Sequence, residues 1–545
     1  MGKRLMRFVP VLVFLLALAG LSFKIRDAGV ASGFTDPLGK IGAQDEALYG
    51  SEAIAMATGG GWLTQTFLHR WELSKPPLLM WLTALAFKIA GITRIALRAP
   101  TLLCGALVIA LLCSFVARER GTLSGLAAAL LMAGNPLLFT LARHGLTDIV
   151  VTAATTAAVM VFLRDTALAR WSTVAGFGLA VAAAILAKSL MGLLLWLVVG
   201  LASVFLRREN RPSPARLAAV GGIAIVLAAP WFCYQLTLHR EFFLAEMHVI
   251  FGQAKGVKLQ QSQESALRFY AARLALLDPV LTLLAATGLF GFWHALRRRD
   301  TAALVVLCWI AVFGAVLLGF RFRNAPYILP VLPAFLLLGA LWSPLFSRRS
   351  AVPLLAMLIA LVGVKAAYGD RPWGLPFTAT HPTPSAPALQ RYCEMRRATD
   401  LILFDADDQF YGATLPLAHE RYVWVDDGGQ TFALNPHLHY LGILLSGAEF
   451  RAISANRDEW QRRMRAWGMA DQQAVGTGIA LRGPGELQAI VDSRPGSDFF
   501  LPASQAAALH SSAHDVVASE AGYVYLLARH VSGEYAPRSG WSCRF

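Results

Sequence analysis

Long apolar runs that alternate with short basic loops occupy the first 370 residues of the chain. Each run approaches the ~20 residues that an α-helix needs to cross a bilayer. Every second loop is rich in arginine, and such loops stay on the cytoplasmic side of a membrane. The pattern predicts an α-helical polytopic membrane protein with about eleven transmembrane helices, an inner N-terminus and an outer C-terminus. The predicted spans are 8–23, 97–116, 123–141, 149–163, two within 171–206, 217–236, 274–295, 302–320, 325–346 and 352–368.

Two apolar stretches need separate treatment. Residues 78–92 are too short for a span, and placing them in the membrane interface keeps all later basic loops on one side. Residues 171–206 would be ~54 Å long as one helix, against a ~30 Å hydrocarbon core, so they predict a hairpin with Lys188 at its outer turn. The large outer loops are then 25–96, with interfacial helices, and 237–273.

The composition changes near residue 370, where the long apolar runs end. Repeated prolines in residues 371–387 favour an extended, stiff linker. Beyond the linker, the hydrophobic pattern predicts short strands and one helix. These are strands 401–404, 422–425, 440–445 and 523–528 and helix 458–467. The predicted domains are a transmembrane catalytic domain at 1–370, a linker at 371–387 and an outer α/β domain at 388–545.

Composition supports the membrane assignment. Hydrophobic residues make up 56% of the 545 residues and charged residues 15%, with a mean hydropathy of +0.52, whereas a soluble domain is ~45–50% apolar. The net charge of +15 would suggest nucleic acid in a soluble protein. Here the arginines lie in loops between apolar runs, so the partner that they indicate is the lipid bilayer and not nucleic acid.

Two of the six cysteines, Cys393 and Cys543, flank the polar C-terminal region. In an oxidising compartment they could form a disulfide that ties the last residues to the start of that region. The sequence leaves this pairing open.

Ionisable residues at the outer ends of the spans are the candidates for catalytic residues. Asp45, Glu46 and Lys75 lie in the first outer loop, and Asp148 lies in the second outer loop, just before the fourth predicted span. A carboxylate can take a proton from an attacking hydroxyl, which contributes ~10²–10⁴-fold in rate, and a cation can stabilise charge on a leaving phosphate. No phosphate-binding loop is visible, because the glycines at 59–61 lack a strand–loop–helix context.

The order of these motifs resembles a known enzyme superfamily. Asp45-Glu46-Ala47-Leu48-Tyr49 is followed by Gly61-Trp62, Lys75-Pro76-Pro77, Asp148, and Asn324-Ala325-Pro326-Tyr327-Ile328-Leu329-Pro330. Over residues 1–370 this arrangement resembles the polytopic C-type (GT-C) glycosyltransferases that use polyprenyl-phosphate-linked sugars, including the protein O-mannosyltransferases and the aminoarabinose transferase that acts on lipid A.

The resemblance implies roles for individual residues. Asp45 resembles the general base, with Glu46 beside it, and Asp148 the second acid. Lys75 and Tyr327 resemble the groups that hold the carrier phosphate, and Arg268, Arg323 and Lys188 are further candidates for that role. Family members with an aminoarabinose donor often have His followed by a basic residue before the eighth span. Here Val249 follows His248, which leaves the donor sugar open between aminoarabinose and a hexose.

The implied function is an inverting glycosyltransferase. It would move a sugar from a polyprenyl (undecaprenyl) phosphate to a lipid A, glycan or protein acceptor on the periplasmic side of a bacterial inner membrane. A divalent cation stays open as a cofactor. His248 and Glu246 are the candidate ligands, although their spacing matches no strong metal motif.

Several of these residues also have a structural explanation. The two acids at 45–46 could serve only to begin a helix, Lys75 could be an interfacial lysine, and Asp148 could be a helix cap. Lys188 fits a turn residue, and Tyr327 fits an interfacial aromatic belt. Two other functional classes stay open as well: a transporter or flippase, and a noncatalytic envelope glycan assembly protein.

Overall fold

The structure of the protein is a computed structural model. It describes residues 3–25, 35–36, 39–40, 44–67, 70–240, 242–244, 247, 264–320, 323–347, 349–369, 374–375, 395, 401–404, 422–425, 488, 491–492, 495–496, 498–507, 509–518 and 523–530. Several predictions lie outside the described residues: the metal ligands Glu246 and His248, the disulfide of Cys393 and Cys543, strand 440–445 and helix 458–467.

Helices dominate, and we number them in chain order. They are α1 Lys3–Ser22, α2 Gln44–Ala57, α3 Leu78–Ala90, α4 Arg94–Arg120, α5 Thr122–Ala133, α6 Pro136–Ala142, α7 Thr147–Arg164, α8 Trp171–Lys188, α9 Leu190–Phe205, α10 Pro214–Leu238, α11 Ala266–Leu277, α12 Pro279–Arg297, α13 Thr301–Gly319, α14 Leu332–Trp342, α15 Ala351–Tyr368 and α16 Ala503–Ala506, with 3₁₀ turns at Arg208–Asn210, Ala325–Val331 and Pro344–Phe346.

These helices confirm the α-helical polytopic fold class. Among the residues that the structure describes, eight helices are long and apolar enough to cross a membrane, or nine if the bent pair α5–α6 counts as one span. This is fewer than the eleven predicted spans. The other two predicted spans correspond to shorter apolar helices, Phe8–Ser22 and Met191–Phe205. Leu78–Ala90, predicted to lie in the interface, is also a short apolar helix.

Helix α7 lies at the centre of the bundle. Its apolar window is 78% buried, compared with 22% for α15. A helix that is covered on all sides belongs to the core of a membrane bundle, whereas a sparsely covered helix faces lipid. The central position of α7 places Asp148, in its first turn, among several other elements at one end of the bundle.

The predicted span 123–141 is broken in the structure. Helices α5 and α6 meet at an angle of 69°, because Pro136 cannot continue the hydrogen-bond ladder of α5. Asn135 caps α6 and donates to Asp278 Oδ2 at 2.9 Å. The Lys365 ammonium donates to the carbonyl of Gly134 at 2.8 Å and to Asp278 Oδ1 at 3.3 Å. These three polar side chains provide hydrogen-bond partners for the polar groups at the break, inside the protein.

Asp278 also interrupts the predicted span 274–295 near its start. Its side chain accepts from the backbone N–H of Leu281 and so caps α12. The residues before it belong to a separate helix, α11. The apolar pattern continued through this junction, so it concealed the helix start.

The C-terminal region contains a five-stranded mixed sheet. Its strands are β5 Leu401–Phe404, β6 Tyr422–Val425, β7 Asp498–Pro502, β8 His514–Ala518 and β9 Tyr523–Ala528, after four two-residue strands β1 to β4 at Thr35–Asp36, Gly39–Lys40, Thr66–Phe67 and Arg70–Trp71. The sheet order is β6-β5-β7-β9-β8; β5 pairs in parallel with β6 and β7, and the other pairs are antiparallel. This agrees with a small soluble α/β domain and confirms three predicted strands.

Candidate active site

Asp45 lies in the first turn of α2, the helix that opens the first loop after α1. Acidic side chains are favoured there because the N-terminus of a helix carries partial positive charge. The side chain of Asp45 is exposed, and the hydroxyl of Tyr49, one turn along α2, donates a hydrogen bond to it. Tyr49 itself is buried, so it holds the carboxylate from the protein side.

Asp148 and Lys188 form an ion pair at the same end of the bundle. Lys188 Nζ lies 2.6 Å from Asp148 Oδ1. Asp148 begins α7, Lys188 ends α8, and the ammonium also lies 4.6 Å from the centre of the Tyr327 ring. Such an arrangement attracts a cation to the face of an aromatic ring. The two helix ends and the 3₁₀ turn that carries Tyr327 therefore meet at one point.

Electrostatic interactions join Asp45 to this group. The charges of Lys75, Asp148 and Lys188 all act on the Asp45 carboxylate, and those of Asp148 and Asp45 act on the Tyr327 hydroxyl. Five residues that the sequence nominated separately are thus brought together. Asp45, Lys75, Asp148, Lys188 and Tyr327 are called the acid–lysine cluster below.

The environment of Asp45 changes its acidity. Water reaches the side chain, but the surrounding protein desolvates the carboxylate, and this raises the pKa of Asp45 above its usual value. Lys75 opposes the rise and Asp148 adds to it. A carboxylate with a raised pKa is a stronger base when it is ionised, which suits proton abstraction.

Hydrogen bonds fix the backbone of the turn that carries Lys75. Gln65 Nε2 donates to the Lys75 carbonyl at 2.8 Å and to Glu52 Oε2 at 3.2 Å. The N–H of the preceding residue, Ser74, donates to Glu72 Oε1. Pro76 and Pro77 follow and are buried, and proline fixes the backbone dihedral φ. The half-buried ammonium therefore extends from a rigid turn just before α3.

Glu46 has a different position from that of its neighbour Asp45. Its carboxylate forms a two-point ion pair with Arg98, at 2.8 Å to Nε and 2.9 Å to Nη2, and accepts from the N–H of Gly145 at 2.8 Å. Glu46 is 1% exposed and Arg98 is fully buried. Burial alone would raise the pKa of Glu46, but the charges of Arg98 and His144 and the hydrogen bonds from Arg98 and Gly145 together outweigh it and lower the pKa. The partners of Glu46 are inside the protein.

Two buried arginines tie this ion pair to the end of α1. Arg98 Nη1 donates to the carbonyl of Ile25 at 3.2 Å. Arg143 donates to the carbonyls of Leu21 at 2.5 Å and Phe23 at 2.7 Å, which satisfies groups that a helix end leaves unpaired. The sequence analysis missed both arginines. Arg98 fell just inside a predicted span, although an ionisable residue at that boundary is itself a signal.

Arg268 and Arg323 lie in a neighbouring group around Glu264. The Arg268 Nε atom is 3.6 Å from Glu264 Oε1, but the Arg268 side chain is 81% exposed, and Arg323 donates to the Glu264 carbonyl. Arg273 completes the group at 3.4 Å from Glu264 Oε2. Burial raises the pKa of Tyr270 to about 12, and Tyr327 adds to that rise, so Tyr270 connects this group to the acid–lysine cluster.

The described part of the chain contains no set of three or more His, Cys, Asp or Glu side chains placed to hold a metal ion. The candidate ligands Glu246 and His248 are not within that part.

The chain is similar to known proteins in sequence and in fold. The family model of dolichyl-phosphate-mannose-protein mannosyltransferases matches residues 74–234, which include three members of the acid–lysine cluster. An uncharacterised protein of Aquifex aeolicus (strain VF5) is 24% identical over 303 residues. That match covers 54% of this chain, and the chain spans only 58% of the relative's length.

Two solved structures share the fold over nearly the whole chain. ArnT from Cupriavidus metallidurans bound to undecaprenyl phosphate superimposes with a TM-score of 0.57 at 16% identity, covering 96% of this chain and 97% of ArnT. Its apo state gives a TM-score of 0.55 at 18% identity, with coverage of 95% and 97%. Residues 74–234 are therefore similar to dolichyl-phosphate-mannose-protein mannosyltransferases, and the chain as a whole shares the multi-pass membrane fold of ArnT.

Proposed function

We propose that the protein transfers a sugar from a polyprenyl phosphate to an acceptor hydroxyl, with inversion at the anomeric carbon. The observation that carries the proposal is the acid–lysine cluster, in which a carboxylate of raised pKa lies within electrostatic reach of two ammonium groups. The GT-C fold supports the lipid carrier, since ArnT of the same fold has been solved with undecaprenyl phosphate bound. We propose the same class of carrier for this chain.

The proposed reaction is a single displacement. The acceptor oxygen forms a bond to the anomeric carbon, and the acceptor proton passes to the carboxylate of Asp45. The bond between that carbon and the phosphate oxygen breaks, and its electron pair stays on the polyprenyl phosphate. The leaving phosphate therefore gains one negative charge. Attack from the face opposite the phosphate inverts the anomeric configuration.

The lysines address the charge on the leaving group. Lys75 extends from a rigid turn, and its ammonium is half buried, so it is the group that we assign to the phosphate. Preorganised cations are effective because they do not reorganise as charge develops. Lys188 is already paired with Asp148 at 2.6 Å. We assign this pair and Tyr327 the task of shaping the phosphate site, with Arg268 and Arg323 as outlying contacts.

Glu46 takes a supporting role in this proposal. Its ion pair with Arg98 is closed to solvent, and its hydrogen bond to Gly145 connects α2 to the turn before α7. The pair therefore sets the positions of the two helix starts that carry Asp45 and Asp148. We propose that Glu46 positions the base and does not itself exchange protons with substrate.

The distribution of arginine supports a proposal for the location. The ends of α4, α7 and α12 opposite the acid–lysine cluster carry exposed arginines, and such ends face the cytoplasm. We propose that the cluster faces the periplasm of a bacterial inner membrane. The donor sugar, aminoarabinose or a hexose, and the acceptor, a lipid A, glycan or protein, are to be identified by assay.

The test is a transfer assay with the purified protein in nanodiscs. Polyprenyl-phosphate aminoarabinose and hexose donors are supplied with lipid A, glycan and peptide acceptors, and the anomeric configuration of the product is determined. We expect transfer with inversion from one donor, and its loss in Asp45→Asn but not in Glu119→Gln, an exposed acid at the opposite end of the bundle. Absence of transfer or sugar release from every polyprenyl-phosphate donor would refute the proposal.

A further inference from the structure

A polar cavity lies at the end of the bundle opposite the acid–lysine cluster. It has a volume of about 470 Å³ and lies between the 3₁₀ turn Arg208–Asn210 and the junction of α12 and α13. The side chains that matter for its chemistry are those of Arg207, Asn210, His294, Arg298, Arg299 and Asp300. None of these residues takes part in the proposed transfer reaction.

The cavity carries an excess of positive charge. Three arginines face one acid, Asp300, whose carboxylate already accepts from the N–H of Ala303 at 2.9 Å as the cap of α13. Capping leaves Asp300 less able to neutralise the arginines. The three guanidinium groups offer only hydrogen-bond donors, and they outnumber the one carboxylate of the cavity, so the cavity favours an anion.

These arginines differ from others nearby in the same loops. Arg211 donates to the carbonyls of Leu206 and Val204, and Arg216 donates to the carbonyl of Ala169 and stacks on Trp171. The guanidinium groups of Arg211 and Arg216 are therefore already hydrogen-bonded to backbone carbonyls near the ends of α8 and α9. By contrast, the side chains of Arg207, Arg298 and Arg299 have no hydrogen bond or ion pair with any residue that the structure describes. Their donors are available to a ligand.

The face of α12 beside the cavity is apolar and exposed, as is typical of a surface in contact with lipid. Phe290 is 79% and Trp293 54% exposed, and only 28% of the apolar window of α12 is buried. The Phe290 ring stacks on the ring of His294, 5.7 Å between centres, and Arg297 lies over Trp293 at 5.0 Å. Aromatic rings of this kind occur at the level of lipid headgroups. The cavity therefore opens beside a lipid-facing surface.

We propose that this cavity binds the phosphodiester headgroup of an anionic phospholipid, with the acyl chains lying along α12 past Phe290 and Trp293. Basic pockets between membrane helices bind the headgroups of anionic lipids. The aromatic surface selects a lipid over a soluble phosphate, because only a lipid uses both the cationic cavity and the apolar face. The site does not depend on the transfer chemistry at the other end.

Native mass spectrometry of the full-length protein tests this. The probes are phosphatidylglycerol, phosphatidylcholine and inorganic pyrophosphate, each added to delipidated protein. We expect wild type to retain phosphatidylglycerol in preference to the other two. The double substitution Arg298→Gln/Arg299→Gln should weaken that binding by about 10- to 30-fold, since each basic residue at a charged membrane surface contributes about a factor of five.

Matched controls separate a built site from general charge. Arg118→Gln/Arg120→Gln removes two exposed arginines from the same end of the bundle, at the end of α4, and should leave phosphatidylglycerol binding within twofold of wild type. Arg298→Lys/Arg299→Lys keeps the charge and should retain more binding than the Gln pair. Equal loss in both Gln pairs, equal retention of phosphatidylcholine, or binding of pyrophosphate with no preference for the lipid would each overturn the proposal.

Discussion

The two adjacent acids of α2 occupy opposite environments. Asp45 is exposed and faces the acid–lysine cluster, where desolvation by the surrounding protein raises its pKa. Glu46 is 1% exposed, and its pKa is lowered because the charges of Arg98 and His144 and the hydrogen bonds from Arg98 and Gly145 together outweigh its burial. Successive side chains on a helix point in directions about 100° apart. The Asp45 carboxylate therefore points to solvent, while the carboxylate of the next residue, Glu46, points into the protein.

This difference distinguishes chemistry from support. Titratable groups whose environments push their pKa values apart are candidates for separate roles. The region around Glu46 has all its carboxylate contacts inside the protein and joins four chain segments: the end of α1, α2, α4 and the turn before α7. The region around Asp45 is accessible to a substrate. The sequence motif Asp-Glu does not reveal which acid has which role; the structure separates them.

The largest expected effect is on stability and comes from breaking the enclosed pair. Arg98→Ala leaves the Glu46 carboxylate buried without its cation, and we expect a loss of about 3–5 kcal/mol in the free energy of unfolding. Chemical unfolding in detergent measures it. The double replacement Arg98→Met/Glu46→Leu removes both charges and should recover much of the loss. If Arg98→Ala is as stable as wild type, the pair does not hold these segments.

Breaking the Asp148–Lys188 ion pair, which belongs to the acid–lysine cluster, should lower the transfer activity. Lys188→Met removes the partner of Asp148 at a partly buried site. A hydrogen bond to a charged group contributes up to about 3 kcal/mol, so we expect the transfer rate to fall by about 100-fold. The stability loss should be smaller than that of Arg98→Ala, because the Lys188 side chain is partly exposed whereas that of Arg98 is fully buried. Steady-state kinetics and thermal unfolding of one preparation separate the two effects. A variant that unfolds readily but transfers normally would contradict this assignment.

Lys75 should affect both donor binding and the transfer rate. Its ammonium is half buried, so we expect the lower end of the charged hydrogen-bond range, about 1.5 kcal/mol, or about tenfold weaker donor affinity in Lys75→Ala. Titration with polyprenyl phosphate measures the affinity. Lys88→Ala is the matched control, since Lys88 is exposed on α3 and lies over Trp62 at 5.5 Å. Equal affinity of the two variants would remove Lys75 from the phosphate site.

The smallest effect concerns pH. Asp45 must be ionised to accept a proton, so the transfer rate should fall as the pH drops through its pKa, which lies above the usual range for Asp. Lys75 lowers this pKa; Lys75→Ala should therefore raise it and move the acidic limb of the rate profile to higher pH. Glu46→Gln should not move the limb, because Glu46 is not the titrating base. A limb that moves only in Glu46→Gln would exchange the two roles.

The sequence predicted the cluster better than its support. The outer ends of the predicted spans grouped Asp45, Asp148 and Lys188 on one side, and the structure brings them together. The pairing of Glu46 with Arg98 was not predicted, since hydrophobic periodicity carries no information about which charges meet across 52 positions. Catalytic assignments from the motif stay predictions until they are assayed.

The broken span shows a similar limit. The pattern of residues 123–141 is continuously apolar, and it predicted one helix. The signal for the break was local, because Gly134, Asn135 and Pro136 together disfavour a continuous helix. The side chains that hydrogen-bond to the break are distant in sequence, since Asp278 and Lys365 belong to later parts of the chain. Long-range polar contacts of this kind become visible only when the helices are packed.

The most direct test compares two neighbouring amide substitutions in a single-turnover assay. Asp45→Asn and Glu46→Gln are each reconstituted with a polyprenyl-phosphate donor, and the rate of sugar transfer and the unfolding temperature are measured on the same samples. We predict that Asp45→Asn unfolds like wild type and transfers ~10²–10⁴-fold more slowly. Glu46→Gln should unfold at a lower temperature and lose less of its rate. Near-normal transfer by Asp45→Asn, with the larger rate loss in Glu46→Gln, would contradict the account.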